Sequence, residues 1–158
     1  MMIIIFVSVA CVGCDQSTKT LADNYLSKTE MVSYLSDTVR IGYVENTGAF
    51  LGMGGQFSEE ARFIMFQAIA GVFIVGMLIY VLISSSLGLS AIVGISLILS
   101  GGASNLFDRV VNDGAVIDFV NIGIGFIRTG IFNVADVAIM LGGLLFILSQ
   151  SRKSSACE

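Results

Sequence analysis

Two aspartates stand in strongly apolar stretches of this chain. Asp118 lies within Ala115-Val116-Ile117-Asp118-Phe119-Val120, and Asp136 within Ile131-Phe132-Asn133-Val134-Ala135-Asp136-Val137-Ala138. Neither has a basic neighbour in sequence. Two such carboxylates brought together away from water do not readily both ionise. One keeps its proton at neutral pH, and the pair then holds an acid and a base in one site. That is the aspartic-protease arrangement, in which one carboxylate activates water and the other polarises the scissile carbonyl. The remaining candidates are Asp15 and Lys19, Asn46, then Asn105, Asp108 and Arg109, and Asn133. Polar groups near membrane depth are costly and so tend to mark function.

The elements that must position them are membrane spans. The 158 residues are 55% hydrophobic and 13% charged, where a soluble domain has roughly a quarter charged. The net charge of −4 gives no sign of a nucleic-acid surface. A span needs about 20 apolar residues. The charge-free stretch between Arg62 and Asp108 suits two spans, turning at Ser84-Ser85-Ser86 and Gly88. The expected spans are 2–26, 63–83, 87–107 and 131–148, in an all-α polytopic membrane protein of one domain over 1–158. Every polar candidate then falls at the same end of its helix. Asp15, Lys19 and Asp23, at i, i+4 and i+8, share a face of the first.

Residues 29–60 form no span. Val39, Ile41 and Tyr43 alternate with Arg40, Gly42 and Val44, which predicts a half-buried strand in a small extramembrane sheet at the membrane surface. Ser58 before Glu59 and Glu60 predicts an N-cap opening the second span. Four spans put both termini on one side. Arg152 and Lys153, just after the last span, favour a cytoplasmic side, whereas Lys28, Arg40, Arg62 and Arg128 on the opposite side weigh against it.

Taken in order, Asp15-Gln16-x-x-Lys19, Glu45-Asn46-x-Gly48-Ala49-Phe50, Asn105-x-x-Asp108-Arg109, Val116-x-Asp118-Phe119 and Phe132-Asn133-x-Ala135-Asp136 resemble the motifs of the lipoprotein signal peptidase (signal peptidase II) family. The resemblance covers nearly the whole chain. It implies a bacterial inner-membrane aspartic endopeptidase that cuts prolipoproteins before a diacylglyceryl-modified cysteine, with its site near the outer face. On that resemblance Asp118 and Asp136 are the catalytic dyad, and Asn105, Arg109 and Asn133 orient the dyad or the substrate backbone. Asn46 and Gly48 sit beside the substrate, and Asp15 and Lys19 support the site from the first helix. The sheet cradles the lipidated substrate, and a short segment before Arg62 covers it. The expected partners are diacylglyceryl-modified prolipoproteins and membrane lipids; a monomer with no cofactor, metal or nucleic acid is expected. Two departures stand out: Ser104 precedes Asn105 where the family often has glycine, and 121–130 lacks the aromatic, proline-containing character common there.

Competing readings remain at this point. Gly13-Cys14-Asp15-Gln16 after an apolar run looks like the cleavage site of a lipoprotein precursor, but no Lys or Arg precedes Lys19 to form a basic n-region, and apolar blocks return later in the chain. A small transporter or proton relay would use Asp118, Asp136 and Arg109 for ion passage, with charges at the midplane and broken helices there. Among individual residues, Asp15 with Lys19 reads also as a helix-surface pair, Asp108 as an interfacial anchor, and Asn105 and Asn133 as interhelical glue. Cys11 and Cys14, inside the first span, read as small apolar residues, and with no histidine in the chain there is no metal-ligand set.

Overall fold

A computed structural model describes residues 2–48, 57–84 and 87–154, without the side chains of Glu59, Arg62 and 152–154. Ala49 to Gly52, most of the expected covering segment, Ser85-Ser86 and Cys157 lie outside the described residues. Four helices are long and apolar enough to cross a membrane: Met2–Tyr25, Phe63–Ile83, Leu89–Val111 and Val134–Ser151. We name the elements α1 (Met2–Tyr25), β1 (Val32–Tyr34), β2 (Val39–Asn46), α2 (Glu59–Arg62), α3 (Ile69–Ile83), α4 (Leu89–Val111), β3 (Val116–Ile124), β4 (Ile127–Arg128) and α5 (Val134–Ser154). The expected N-cap is present, with Ala61 N–H donating to Ser58 Oγ at 3.3 Å. A wider π-helical stretch, Phe63–Ala68, joins α2 to α3.

The central helix is α4, which packs against α5, α1 and α3. Ile95, Leu99 and Val81 form the apolar core, with Ile4, Ile74, Met77 and Phe146 against them. Without a hydrophobic force between helices in lipid, close packing needs small residues. The α4–α5 seam supplies them as Gly94 and Gly101 against Gly142 and Ala135. A methyl at Gly101 would stand 2.5 Å from the Ala135 carbonyl oxygen and 2.9 Å from Ile139 Cγ1. This approach holds the N-terminus of α5 beside the C-terminal half of α4. On the α1 side, Ser96, Ser100 and Ser104 recur every four residues along α4 and are buried, with Ser100 Oγ 3.0 Å from Ser8 Oγ.

The four strands form an antiparallel sheet in the order β1-β2-β3-β4. The sheet is therefore not confined to 29–60: two of its strands come from between the last two spans. A bulge between Ile41 and Val44 adds one residue to β2. Gly42 sits there because the chain after α1 passes against it, and a Cβ would lie 3.0 Å from Glu30 O and Met31 Cα. Past the bulge, Val44 pairs with Asp118 and Asn46 with Val116, which puts Asn46 diagonal to Asp118 on one face.

Several span boundaries shift, and the last helix runs on past 148 to Ser154. The third helix runs to Val111 rather than stopping at 107. The last starts at Val134 rather than 131, because Phe132 bridges to Val120, with Phe132 N–H donating to Val120 O at 2.9 Å. Asp23 is exposed and paired with Lys28, apart from the buried Asp15 and Lys19.

The seam yields a paired prediction. Gly101→Ala forces backbone apart and should lower thermal stability in detergent by about 1–3 kcal/mol. Gly143→Ala meets nothing within 4 Å and should be neutral or gain up to about 1 kcal/mol from helix propensity. Equal melting behaviour of the two variants would contradict this packing.

Candidate active site

Asp118 and Asp136 meet across Asn133. Asn133 is the residue before α5, and it and Asp136 form a reciprocal cap. Asp136 N–H donates to Asn133 Oδ1 at 2.9 Å, and Asn133 N–H donates to Asp136 Oδ2 at 3.1 Å. With its oxygen so occupied, the Asn133 amide presents Nδ2 to Asp118 Oδ1 at 2.7 Å, and also to Asn105 Oδ1 at 3.1 Å. Asn105 in turn donates from Nδ2 to Asp136 Oδ1 at 2.9 Å. Asn46 donates from Nδ2 to Asp118 Oδ2 at 2.8 Å, its own oxygen held by Gly48 N–H at 2.9 Å. Asn46, Asn105 and Asn133 thus each donate to Asp118 or Asp136, and are not interhelical glue alone.

Beneath the carboxylates lies a buried ionic cluster. Asp15, Lys19 and Asp108 are 0%, 2% and 2% exposed. Lys19 Nζ is 2.7 Å from Asp15 Oδ2, 2.8 Å from Asp108 Oδ2 and 2.9 Å from Asn105 Oδ1. Asp15 and Lys19 are therefore no helix-surface pair. Asp108 is no interfacial anchor: α4 continues past it and turns it inward to α1. Gln16 and Ser104 complete the cluster, with Gln16 Nε2 donating to Asp108 Oδ1 at 2.8 Å and to Ser104 Oγ at 2.9 Å, and Ser104 Oγ donating to Asp15 Oδ2 at 2.7 Å. Sequence reasoning gave Gln16 and Ser104 no site role and left Asp108, though a candidate, as an interfacial anchor. The signal was available in Ser96, Ser100, Ser104 and Asp108, a polar stripe at i, i+4 spacing along an apolar span.

Arg109 points elsewhere. Its Nη2 donates to Gly48 O at 2.9 Å and its Nη1 to Asn105 O at 3.3 Å, while Nε is buried without a hydrogen-bond partner among the described residues. The guanidinium lies 6.0 Å from the Phe66 ring centroid. It borders a cavity of about 750 Å³ whose walls include Thr47, Phe63, Phe66, Gln67 and Val110. Arg109 therefore connects this cavity to the Asn46–Gly48 turn and makes no hydrogen bond to either aspartate.

Burial raises the Asp118 pKa from 3.8 to about 7, opposed by the amide donors and assisted by the charge of Asp136. A carboxyl that is half protonated near neutral pH can either hold or accept a proton in one working range. Because the folded value exceeds the unfolded one, the stability present below about pH 4 is lost as the pH rises through about 7. Isotope-edited infrared titration of Asp118 should show a carboxyl band with a midpoint near 7. Asn46→Leu removes a donor to the ionised form and should move that midpoint higher; a midpoint near the ordinary 3.8 would contradict the buried environment.

The sequence model of the signal peptidase II family matches residues 7–152. The lipoprotein signal peptidase of Thermodesulfovibrio yellowstonii is 34% identical over 139 residues, covering 88% of each chain. That of Treponema denticola is 33% identical over 134 residues, covering 82% of this chain and 78% of that one. Among solved structures, a bacterial membrane enzyme at 2.3 Å resolution superposes with a TM-score of 0.84 at 26% identity, covering 98% of this chain and 91% of that chain.

Proposed function

Because the chain belongs to the signal peptidase II family, we propose that it works as an aspartic endopeptidase with Asp118 and Asp136 as its catalytic residues. It is a multi-pass bacterial membrane protease that removes signal peptides from prolipoproteins. The observation that carries the aspartic reading is the pair of carboxylates bridged by Asn133 and steadied by the amides of Asn46 and Asn105. In this reading the ionised carboxylate takes a proton from water as the water oxygen attacks the scissile carbonyl carbon. The protonated carboxyl gives its proton to the carbonyl oxygen, forming a tetrahedral diol. Collapse of the diol returns a proton to the leaving nitrogen as the C–N bond breaks. The products are the signal-peptide carboxylate and a new amino terminus on the cysteine.

Substrate placement follows from Arg109 and Gly48. A peptide lying over the Asn46–Gly48 turn passes the cavity beside Arg109, whose Phe63, Phe66 and Val110 walls suit a diacylglyceryl-modified cysteine. Asp15 and Lys19 support the dyad from α1. We assign the protein to the bacterial inner membrane as a monomer in contact with lipid, with both termini cytoplasmic and the site near the outer face. An ion path would need charge at the midplane; here the buried charges collect at one end of the bundle, and the transporter reading is not favoured.

The test is cleavage of a purified diacylglyceryl-modified prolipoprotein. Asp118→Asn and Asp136→Asn nearly preserve shape, and each should cost at least about 10²–10⁴-fold in turnover. The double variant should be little worse than either, since the pair acts as a unit, and substrate binding should survive. Near-normal turnover by either well-folded variant would refute the aspartic mechanism.

A further inference from the structure

The residues immediately before the two proposed catalytic aspartates are tied down in the same manner. Ile117 N–H, one residue before Asp118, donates to Asp108 Oδ2 at 3.2 Å. Ala135 N–H, one residue before Asp136, donates to Asp15 Oδ1 at 2.8 Å. The two accepting carboxylates are in turn joined by Lys19, at 2.7 Å to Asp15 and 2.8 Å to Asp108. Gln16 and Ser104 make a second bridge between them, running from Asp108 Oδ1 through Gln16 Nε2 and Ser104 Oγ to Asp15 Oδ2.

We propose that Asp15, Gln16, Lys19, Ser104 and Asp108 form a clamp that sets the distance between the Asp118 and Asp136 backbones, making Asp108, Gln16 and Ser104 positioning residues for proteolysis. The inference rests on the dyad reading above. β3 and α5 have separate origins in the chain, and the seam at Gly101 controls only where α5 meets α4. Nothing in that seam fixes the start of β3. The Phe132–Val120 bridge and the Asn133–Asp118 hydrogen bond bring β3 beside the approach to α5, and the clamp adds a tie from beneath at Ile117 and Ala135, because each of its carboxylates holds one backbone N–H and the ammonium between them admits little change in their separation. All five residues are removed from solvent or nearly so, apart from the half-buried Gln16, and ionic hydrogen bonds in such surroundings are strong and directional. The clamp residues touch neither proposed catalytic carboxylate directly; they act through backbone placement.

A carboxylate–amide exchange within the clamp tests this. Asp108→Asn keeps an oxygen for Ile117 N–H and Lys19 but turns an amide NH₂ toward the Gln16 NH₂. The donors collide and the clamp loosens. Adding Gln16→Glu replaces one of them by an acceptor and restores the original charge of the cluster. Prolipoprotein cleavage by the purified full chain should show kcat reduced about 10²-fold for Asp108→Asn, as expected for a sub-ångström to ångström misplacement of reacting groups, with KM little changed. The double variant should recover a large part of the loss. Because carboxylates held further apart repel less, the basic limb of the pH–rate profile should move to lower pH in Asp108→Asn and return in the double variant.

If Asp108→Asn does not fold, Ser104→Ala, which removes only the bridging hydroxyl, should lower kcat at constant KM with the same displacement of the profile. Unchanged kcat and profile in well-folded Asp108→Asn or Ser104→Ala would overturn the clamp. So would a loss of activity explained wholly by a smaller folded fraction, with an unaltered profile and no recovery in the double variant. Wild-type protein and Asp136→Asn, assayed alongside, separate this outcome from failure of the dyad. If Asp136→Asn cleaves normally the dyad reading falls, whereas a dead Asp136→Asn with a normal Asp108→Asn removes the clamp alone.

Discussion

A single ammonium, that of Lys19 on α1, sits against α4 and is ringed by Asp15, Asp108 and Asn105. Taking a lysine and two aspartates out of water costs several kcal/mol per ion, and the loss is offset only when geometry is good and the remaining lone pairs are satisfied. Both conditions hold here. Lys19 contacts Asp15, Asp108 and Asn105 within 2.9 Å, and the spare carboxylate lone pairs take Gln16, Ser104 and two backbone N–H groups. With one more negative than positive charge, the cluster accepts donors and repels further anions. α1, α4, β3 and α5 must therefore assemble together at this end of the bundle, because leaving out any one strands a buried charge or a buried amide. Among the described residues the rest of the bundle buries no charge and is packed by Ile95, Leu99 and small residues.

The same rule of satisfied polar groups explains why three asparagines surround the proposed dyad. An asparagine amide is useful as a donor only if its oxygen is held by something else; otherwise it flips. Here Asn46 Oδ1 is held by Gly48 N–H, Asn133 Oδ1 by Asp136 N–H, and Asn105 Oδ1 by Lys19. Each NH₂ is left with a carboxylate to face. Two of the three locks are backbone groups in a turn and a helix cap, which cost the protein no additional charge. The third is the buried ammonium, and it links the ionic cluster to Asp136.

Much of this was legible in the sequence, for physical reasons that differ from residue to residue. Charge-free runs of span length located the helices because the bilayer imposes that length. Val39 to Val44 announced a strand through alternation, and the carboxylates of Asp118 and Asp136 stood out against apolar surroundings. β3 gave no such signal. Val116–Ile124 is apolar at successive positions, and Asp118 and Asn121 fall on opposite faces, so local pattern carries no period of two; pairing with β2 decides its conformation. Asp108 was misjudged because a charge after a long neutral run looks like the end of a span. The polar stripe at every fourth residue was the better guide, since it turns Asp108 toward α1 rather than toward the interface. Gln16, between better-placed charges, has meaning only once α4 is beside α1.

The proposed dyad also shows where its proton can go. Each of its four carboxylate oxygens already accepts a hydrogen bond: Asp118 from Asn46 and Asn133, and Asp136 from Asn105 and the Asn133 backbone. Among the described residues, every group hydrogen-bonded to these oxygens is a donor. A proton resting on either carboxyl thus finds no protein acceptor in that set. Burial makes this proton persist near neutral pH on Asp118, and the locked amides prevent a neighbour from turning an oxygen toward it. The carbonyl of a bound peptide supplies the missing acceptor. The surrounding asparagines thus hold the carboxylates still without competing for the proton that the reaction needs.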